Sequence, residues 1–173
     1  LLTTDATVQD VLIKTKFDNL SVIPTNTTLA RAEYELADVE KRESRLKTAL
    51  EEVADKYDII IIDCPPSLGM LTINALVASD GAVLPMQCEY FSLEGLSQMM
   101  MTIKQVKKLY NPNLTLTGIL ITMYNGRLNL TLQVIDELKK YYANKLFKTT
   151  ITRNVRLSEA PSYGEPIQYY DKH

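Results

Sequence analysis

The stretch Ile59-Ile60-Ile61-Ile62-Asp63-Cys64-Pro65-Pro66-Ser67-Leu68-Gly69 decides the fold. Four consecutive isoleucines leave no polar face, so the run suits a strand covered on both sides, as in a parallel sheet, better than a half-solvated one. Acids bracket it, and the expectation is a buried strand over Asp58 to Asp63. Such a strand carries the Asp63 carboxylate to its end. There it can face a hydrated magnesium ion by way of a water, because magnesium gives up its waters reluctantly. Pro65 and Pro66 stiffen the next turn, and Gly69 is expected to let the backbone swing, which suits a loop that senses a γ-phosphate. A plainer reading of an apolar run ending in Asp is a carboxylate that caps the following helix. The Asp-Cys-Pro-Pro-Ser context favours the first reading.

Working outward, Asp5 is placed to cap a short helix running to about Lys14, and Leu20 to Pro24 reads as a short strand. A long helical stretch is expected from Asn26 or Thr27 to about Lys56, with Leu46, Leu50 and Val53 on one face. After the isoleucine strand, Leu71 to Ala78 reads as an apolar helix and Ala82 to Met86 as a second buried strand. Ser92 to Tyr110 is a helix with Leu93, Leu96, Met100 and Ile103 on one face. Thr115 to Thr122 is a third buried strand, Leu130 to Ala143 a helix and Lys145 to Ile151 an outer strand. Alternation at this spacing gives an α/β fold with a doubly wound, mostly parallel sheet and helices on both faces, in one domain over 1-173. Ligands in such sheets sit beyond the carboxyl ends of the strands, so the loops there are the place to look for function.

Composition narrows the chemistry. The chain has 173 residues with 46% hydrophobic and 23% charged side chains, which rules out a disordered chain or a disulfide scaffold. Nineteen Lys and Arg against 21 Asp and Glu give a net charge of -2, so nucleic-acid binding would need a local patch. The single His, His173, counts against His-based catalysis and zinc chemistry. An apolar run such as Ile59 to Ile62 is far too short to span a bilayer. No leader pattern is visible, and a reducing, cytoplasmic setting is expected.

Three stretches, in order, carry a resemblance. Tyr57 through Gly69 resembles the Walker B and switch II region of the ParA/Soj family of chromosome- and plasmid-partitioning ATPases. Pro85-Met86-Gln87-Cys88-Glu89-Tyr90 with Leu93-Glu94-Gly95-Leu96 resembles the strand and helix that follow in that family. Arg153-Asn154-Val155-Arg156-Leu157-Ser158-Glu159-Ala160-Pro161-Ser162 resembles its nucleotide-base loop. The fold implied is of the P-loop NTPase type. With six glycines, nothing here reads G-x-x-x-x-G-K-[ST]. On the family's layout the chain corresponds to the C-terminal two-thirds of the ATPase domain, lacking the first strand, P-loop and first helix, and without the last helix. Alone it is expected to bind ATP poorly and not to hydrolyse it.

The resemblance implies roles. Asp63 is the Walker B acid, holding magnesium indirectly, and Pro65, Pro66, Ser67 and Gly69 form switch II. Met123, Asn154 and Val155 fall in the adenine loops, although Thr152 stands where many relatives have proline. Arg127 and Arg156 match positions implicated in non-specific DNA binding. The implied function is an ATPase using ATP and Mg2+ that forms a homodimer with ATP, binds DNA and is stimulated by a ParB/Spo0J-like partner, in a cytoplasmic, nucleoid-associated setting with no membrane expected. The alternative is a MinD-like membrane-associated positioning ATPase. Cys64 and Cys88 also raise an iron-sulfur reading, as in the nitrogenase iron protein. Cys64 abuts Asp63 directly, however, and free cysteine acting as a small hydrophobe is the simpler expectation.

Overall fold

The structure is a computed structural model and describes residues 1–171. The chain gathers into two compact units, one of Leu1–Ala82 with Met99–Thr115 and one of Val83–Gln98 with the chain from Leu116 onward.

In the first unit, Thr7 rather than Asp5 starts α1 (Val8–Val11). The Asp10 carboxylate accepts hydrogen bonds from the Thr7 amide at 2.8 Å and the Thr7 hydroxyl at 2.7 Å, a reciprocal cap. Those bonds, the hydroxyl's first, hold the Asp10 carboxyl below its ordinary pKa. The helix ends at an extended Leu12, and β1 (Ile13–Lys14) pairs antiparallel with β2 (Ser21–Val22). The expected Leu20 to Pro24 strand is therefore one arm of a small hairpin.

The long helix expected up to Lys56 is broken. α2 (Leu29–Glu35) passes into a tight turn at Leu36–Asp38, Val39 is extended, and Lys41 takes the left-handed conformation at φ 53°. An L-residue there interrupts a right-handed helix. α3 (Arg45–Glu51) restarts the helix, with Leu46 and Leu50 half-buried and Val53 buried as the apolar face predicted.

The isoleucine run departs most from expectation. Residues 58–63 form no strand, and Ile59 and Ile61 are 77% and 87% exposed. Apart from a weak contact of the Cys64 thiol with the Ile62 carbonyl at 3.8 Å, the backbone of residues 59–62 has no hydrogen-bond partner among the described residues. A strand needs a neighbour to take its N–H and C=O groups, and none of the described residues does so. By contrast, α4 (Met70–Ala78) forms as expected and buries Thr72, Asn74, Ala75, Leu76 and Val77.

Two asparagines lock α4. Asn74 is wholly buried; its Oδ1 accepts from the Leu46 amide at 3.1 Å, and its Nδ2 donates to the carbonyls of Arg42 at 2.8 Å and Met70 at 3.1 Å. Asn111 donates to the carbonyls of Leu76, Val77 and Ser79 at 3.2, 3.2 and 2.8 Å. These are carbonyls at the helix C-terminus that have no partner within the helix.

The units meet in sequence within β3 (Gly81–Gln87), α5 (Tyr90–Leu109) and β4 (Thr115–Thr122). β3 and β4 are neighbours joined through α5, the kind of crossover that a parallel pair needs. β4 is buried through Leu116, Ile119 and Ile121, as predicted. β3 is not the fully buried strand expected, since its residues alternate exposed and half-buried and Met86 alone is buried. In α5, Leu96 and Ile103 are buried and Leu93 and Met100 half-buried, so the predicted face is present.

In the second unit, the segment expected as an outer strand runs parallel to β4 but pairs at two separate bridges, Ile119 with Leu146 and Tyr124 with Thr152. The bonds are Ile119 N–H to the Lys145 carbonyl at 2.7 Å, Phe147 N–H to Ile119 at 3.0 Å, and Ile151 N–H to Ile121 at 2.9 Å. Gly118 permits this approach, because a Cβ there would lie 2.8 Å from the Lys145 carbonyl oxygen. α6 (Asn129–Tyr142) buries Thr131, Val134 and Leu138, and α7 (Val155–Glu159) and α8 (Ile167–Tyr170) follow.

An unpaired, apolar backbone edge invites another chain to pair with it. The 173-residue chain by itself should therefore self-associate in light scattering after size exclusion, and Ile61→Lys should reduce that association. A monodisperse monomer for the unsubstituted chain would contradict this reading.

Candidate functional site

Asp63 ends the isoleucine segment, and its side chain is exposed. Its carboxylate makes no hydrogen bond or ion pair among the described residues, so its lone pairs are open to solvent or a ligand. The loop beyond it is ordered from its far end. Ser67 N–H donates to the Pro65 carbonyl at 2.8 Å, and the Thr72 hydroxyl of α4 donates to the Ser67 carbonyl at 2.7 Å. Gly69 is the N-cap of α4, and Ile73 N–H reaches its carbonyl at 3.1 Å. Its φ of -77° is open to any residue. The Glu33 carboxylate of α2, the end of a flexible side chain, lies against Gly69 in the space that an added Cβ would take. No spacing in the sequence links Glu33 to this loop.

Beside Asp63, burial and then the Asp63 charge push the Cys64 thiol pKa up. Burial and then Glu89 do the same at Cys88. Both thiols hold their protons more firmly than a free cysteine, the opposite of what a nucleophile or cluster ligand needs.

The second unit holds the other predicted residues. Met123 follows β4 in the left-handed conformation at φ 51°, with its side chain 50% exposed. A side chain in that conformation carries strain that glycine would avoid. Asn154 lies near it in the fold, because Tyr124 and Thr152 pair and Tyr124 N–H donates to the Ile151 carbonyl at 2.9 Å. Asn154 caps α7, its Oδ1 accepting from the Arg156 amide at 2.8 Å. Val155 is 69% exposed. The structure thus brings Met123, Asn154 and Val155 to the ends of two adjacent parallel segments, where the fold places ligands.

Arg127 and Arg156 are both exposed. The Arg127 amide donates to Asn125 Oδ1 at 3.1 Å, and the Arg127 side chain has no hydrogen-bond or ion-pair partner among the described residues. Arg156 donates to Glu159 Oε2 at 3.1 Å, and the Tyr170 hydroxyl donates to the same oxygen at 3.0 Å. Hydrogen bonding to Tyr170 and then to Glu159 raises the Arg156 pKa, so it stays cationic at every accessible pH.

The donors present fit a magnesium ion only in an indirect role. Asp63 is one open carboxylate, and among the described residues no group of three or more His, Cys, Asp or Glu side chains could hold a metal directly. One carboxylate acting through waters matches the coordination habit of magnesium.

The fold, with its carboxylate-ended apolar segment and anchored loop, defines an α/β protein of the P-loop NTPase type, and comparison with known proteins agrees. The family described as an AAA domain matches residues 1–116. The chain is 57% identical over 171 residues to the sporulation initiation inhibitor protein Soj of Bacillus subtilis, covering 99% of this chain and 68% of that protein. It is 49% identical over 170 residues to the chromosome partitioning protein ParA of Myxococcus xanthus, covering 98% and 60%. A solved cobyrinic acid a,c-diamide synthase of Mycobacterium smegmatis, with an ATP analog and magnesium bound, superposes with a TM-score of 0.80 at 35% identity, covering 89% of this chain and 61% of that one. The chain belongs to the Soj/ParA family of chromosome-partitioning ATPases. It spans roughly two-thirds or less of the length of these relatives.

Proposed function

We propose that the intact protein is a ParA-like ATPase of chromosome or plasmid partitioning, and that this chain carries its Walker B acid, switch II loop, adenine loops and part of its DNA-binding surface. The observation that carries the reading is Asp63: an open carboxylate at the end of an apolar segment, followed by a loop tied to a locked helix. A bound magnesium ion supplies charge neutralisation on the phosphates. Asp63 would hold the ion through water rather than directly. Pro65 and Pro66 limit the conformations of the loop, and the Thr72 bond to Ser67 keeps its far end in place. Met123 offers an exposed apolar surface to the base, with Val155 beside Asn154, whose carboxamide nitrogen is a donor. The chemistry is phosphoryl transfer to water, achieved by positioning and charge neutralisation, and it needs no histidine.

ATP-dependent homodimerisation would bring two copies of Arg127 and Arg156 to DNA, which reconciles binding with a net charge of -2. A ParB-type partner would stimulate hydrolysis and release. This places the protein in the cytoplasm, on the nucleoid. The MinD-like alternative would bind a membrane surface. Among the described residues no helix is long and apolar enough to cross a membrane, which leaves surface attachment to be tested with anionic liposomes.

In the full-length protein, Asp63→Ala should leave the fold intact and remove magnesium-dependent ATP turnover, since metal-assisted charge neutralisation is worth several kcal/mol in such reactions. Steady-state turnover within about twofold of the unsubstituted protein, a difference of only ~0.4 kcal/mol, would overturn the Walker B assignment.

Arg127→Glu and Arg156→Glu should each weaken duplex DNA binding in ATP while sparing nucleotide binding. Each should flatten the dependence of log affinity on log salt by roughly one unit per lost phosphate contact. Titrations at several salt concentrations check this, and unchanged affinity and slope in both variants would return the two arginines to ordinary solvated surface.

A further inference from the structure

Glu33 has no role in the machinery above, yet its carboxylate lies against Gly69 where the loop joins α4. It is half-buried on α2, and its Oε1 lies 3.5 Å from the Leu71 amide in the first turn of α4. A Cβ on Gly69 would meet Oε1 and would lie 2.8 Å from Cδ and 2.9 Å from Oε2, so the whole carboxylate lies against the glycine. The backbone at Gly69, with φ -77° and ψ -172°, does not itself ask for glycine. An added side chain there would displace the Glu33 carboxylate rather than the backbone.

Two features set this contact apart from ordinary packing. α4 is tied down by the bonds of Asn74 at its middle and of Asn111 at its C-terminal carbonyls. Glu33 and Thr72 therefore touch the loop where it joins its fixed anchor, and a carboxylate there is also favoured by the positive end of the nine-residue helix.

We propose that Glu33 is a positioning residue for the Asp63–Gly69 loop. By seating on Gly69 it sets the point from which the loop extends, and so where Asp63 and Ser67 stand when nucleotide is bound. The inference rests on the switch II reading of that loop.

The test is a double-mutant cycle in the full-length protein with Glu33→Ala, Glu33→Gln, Gly69→Ala and the double variants. Glu33→Ala should lower kcat roughly tenfold with little change in KM for ATP, the scale expected when a reacting group is displaced by a fraction of an ångström. Glu33→Gln keeps the shape and the acceptor oxygen and should restore most of that loss. Gly69→Ala should push the Glu33 carboxylate aside and lower kcat with little change in the thermal midpoint, and should do so less in the Glu33→Ala background, where there is no carboxylate to displace. If the Gly69 variant does not fold, the comparison of Glu33→Ala with Glu33→Gln still decides the matter. Unchanged kcat in Glu33→Ala, no rescue by Glu33→Gln, or strict additivity of the cycle in kcat would each overturn the proposal. Retained turnover in Asp63→Ala would sink the switch reading and this proposal with it. Lost turnover there, with an additive Glu33–Gly69 cycle, would sink this proposal alone.

Discussion

Asn74 is wholly buried and spends its carboxamide on backbone: the Leu46 amide, the Arg42 carbonyl and the Met70 carbonyl. A buried amide that lost one of these partners would cost about 1–3 kcal/mol. The bonds therefore determine how the turn at Arg42, the start of α3 and the length of α4 are placed relative to one another. Asn111 does the same for the far end of α4 by taking three C-terminal carbonyls. With the helix so fixed, the loop from Asp63 to Met70 has an immobile anchor at its far end. A loop that changes with the state of a phosphate group needs such a fixed point to move against.

Elements whose hydrogen bonds close locally were legible from the residue pattern. α4, α5 and α6 came within a residue or two of their observed limits, and β4 came at its observed limits. Among the elements that depend on distant partners, β3 and β4 were placed by their apolar runs, whereas the isoleucine strand did not form and the outer strand pairs only at single bridges. The isoleucine run has the composition of a central strand, but composition specifies burial, and a strand also requires a neighbour's backbone. The helix expected from Asn26 failed after Glu35, where the chain tightens at Leu36–Asp38 before a left-handed Lys41 and the Asn74 bond to Arg42 redirect it. Neither is visible in a hydrophobic period. In the candidate site, Asp63 and the two prolines announced themselves by type and order. Glu33 did not, because its partner is 36 positions away and the signal is the absence of a side chain at Gly69.

Charge tells a similar story in the second unit. Both arginines are exposed, but they are differently disposed. Arg156 is already engaged with Glu159 in an exposed, solvent-screened pair. A phosphate can displace such a partner at small cost. Arg127 needs no such exchange, since its side chain has no hydrogen-bond or ion-pair partner among the described residues. At Met123 the backbone holds a left-handed conformation that an ordinary side chain avoids, at the loop where the base would sit.

The central claim is that a locked helix anchors a loop that responds to nucleotide. Hydrogen–deuterium exchange on the full-length protein, with and without magnesium and a non-hydrolysable ATP analogue, tests it most directly. The account predicts that amides in residues 63–69 change their protection on nucleotide binding, while those of Asn74 to Val77 within α4 exchange slowly and equally in both states. Equal exchange of the loop in both states, or a change in α4 as large as that in the loop, would contradict it.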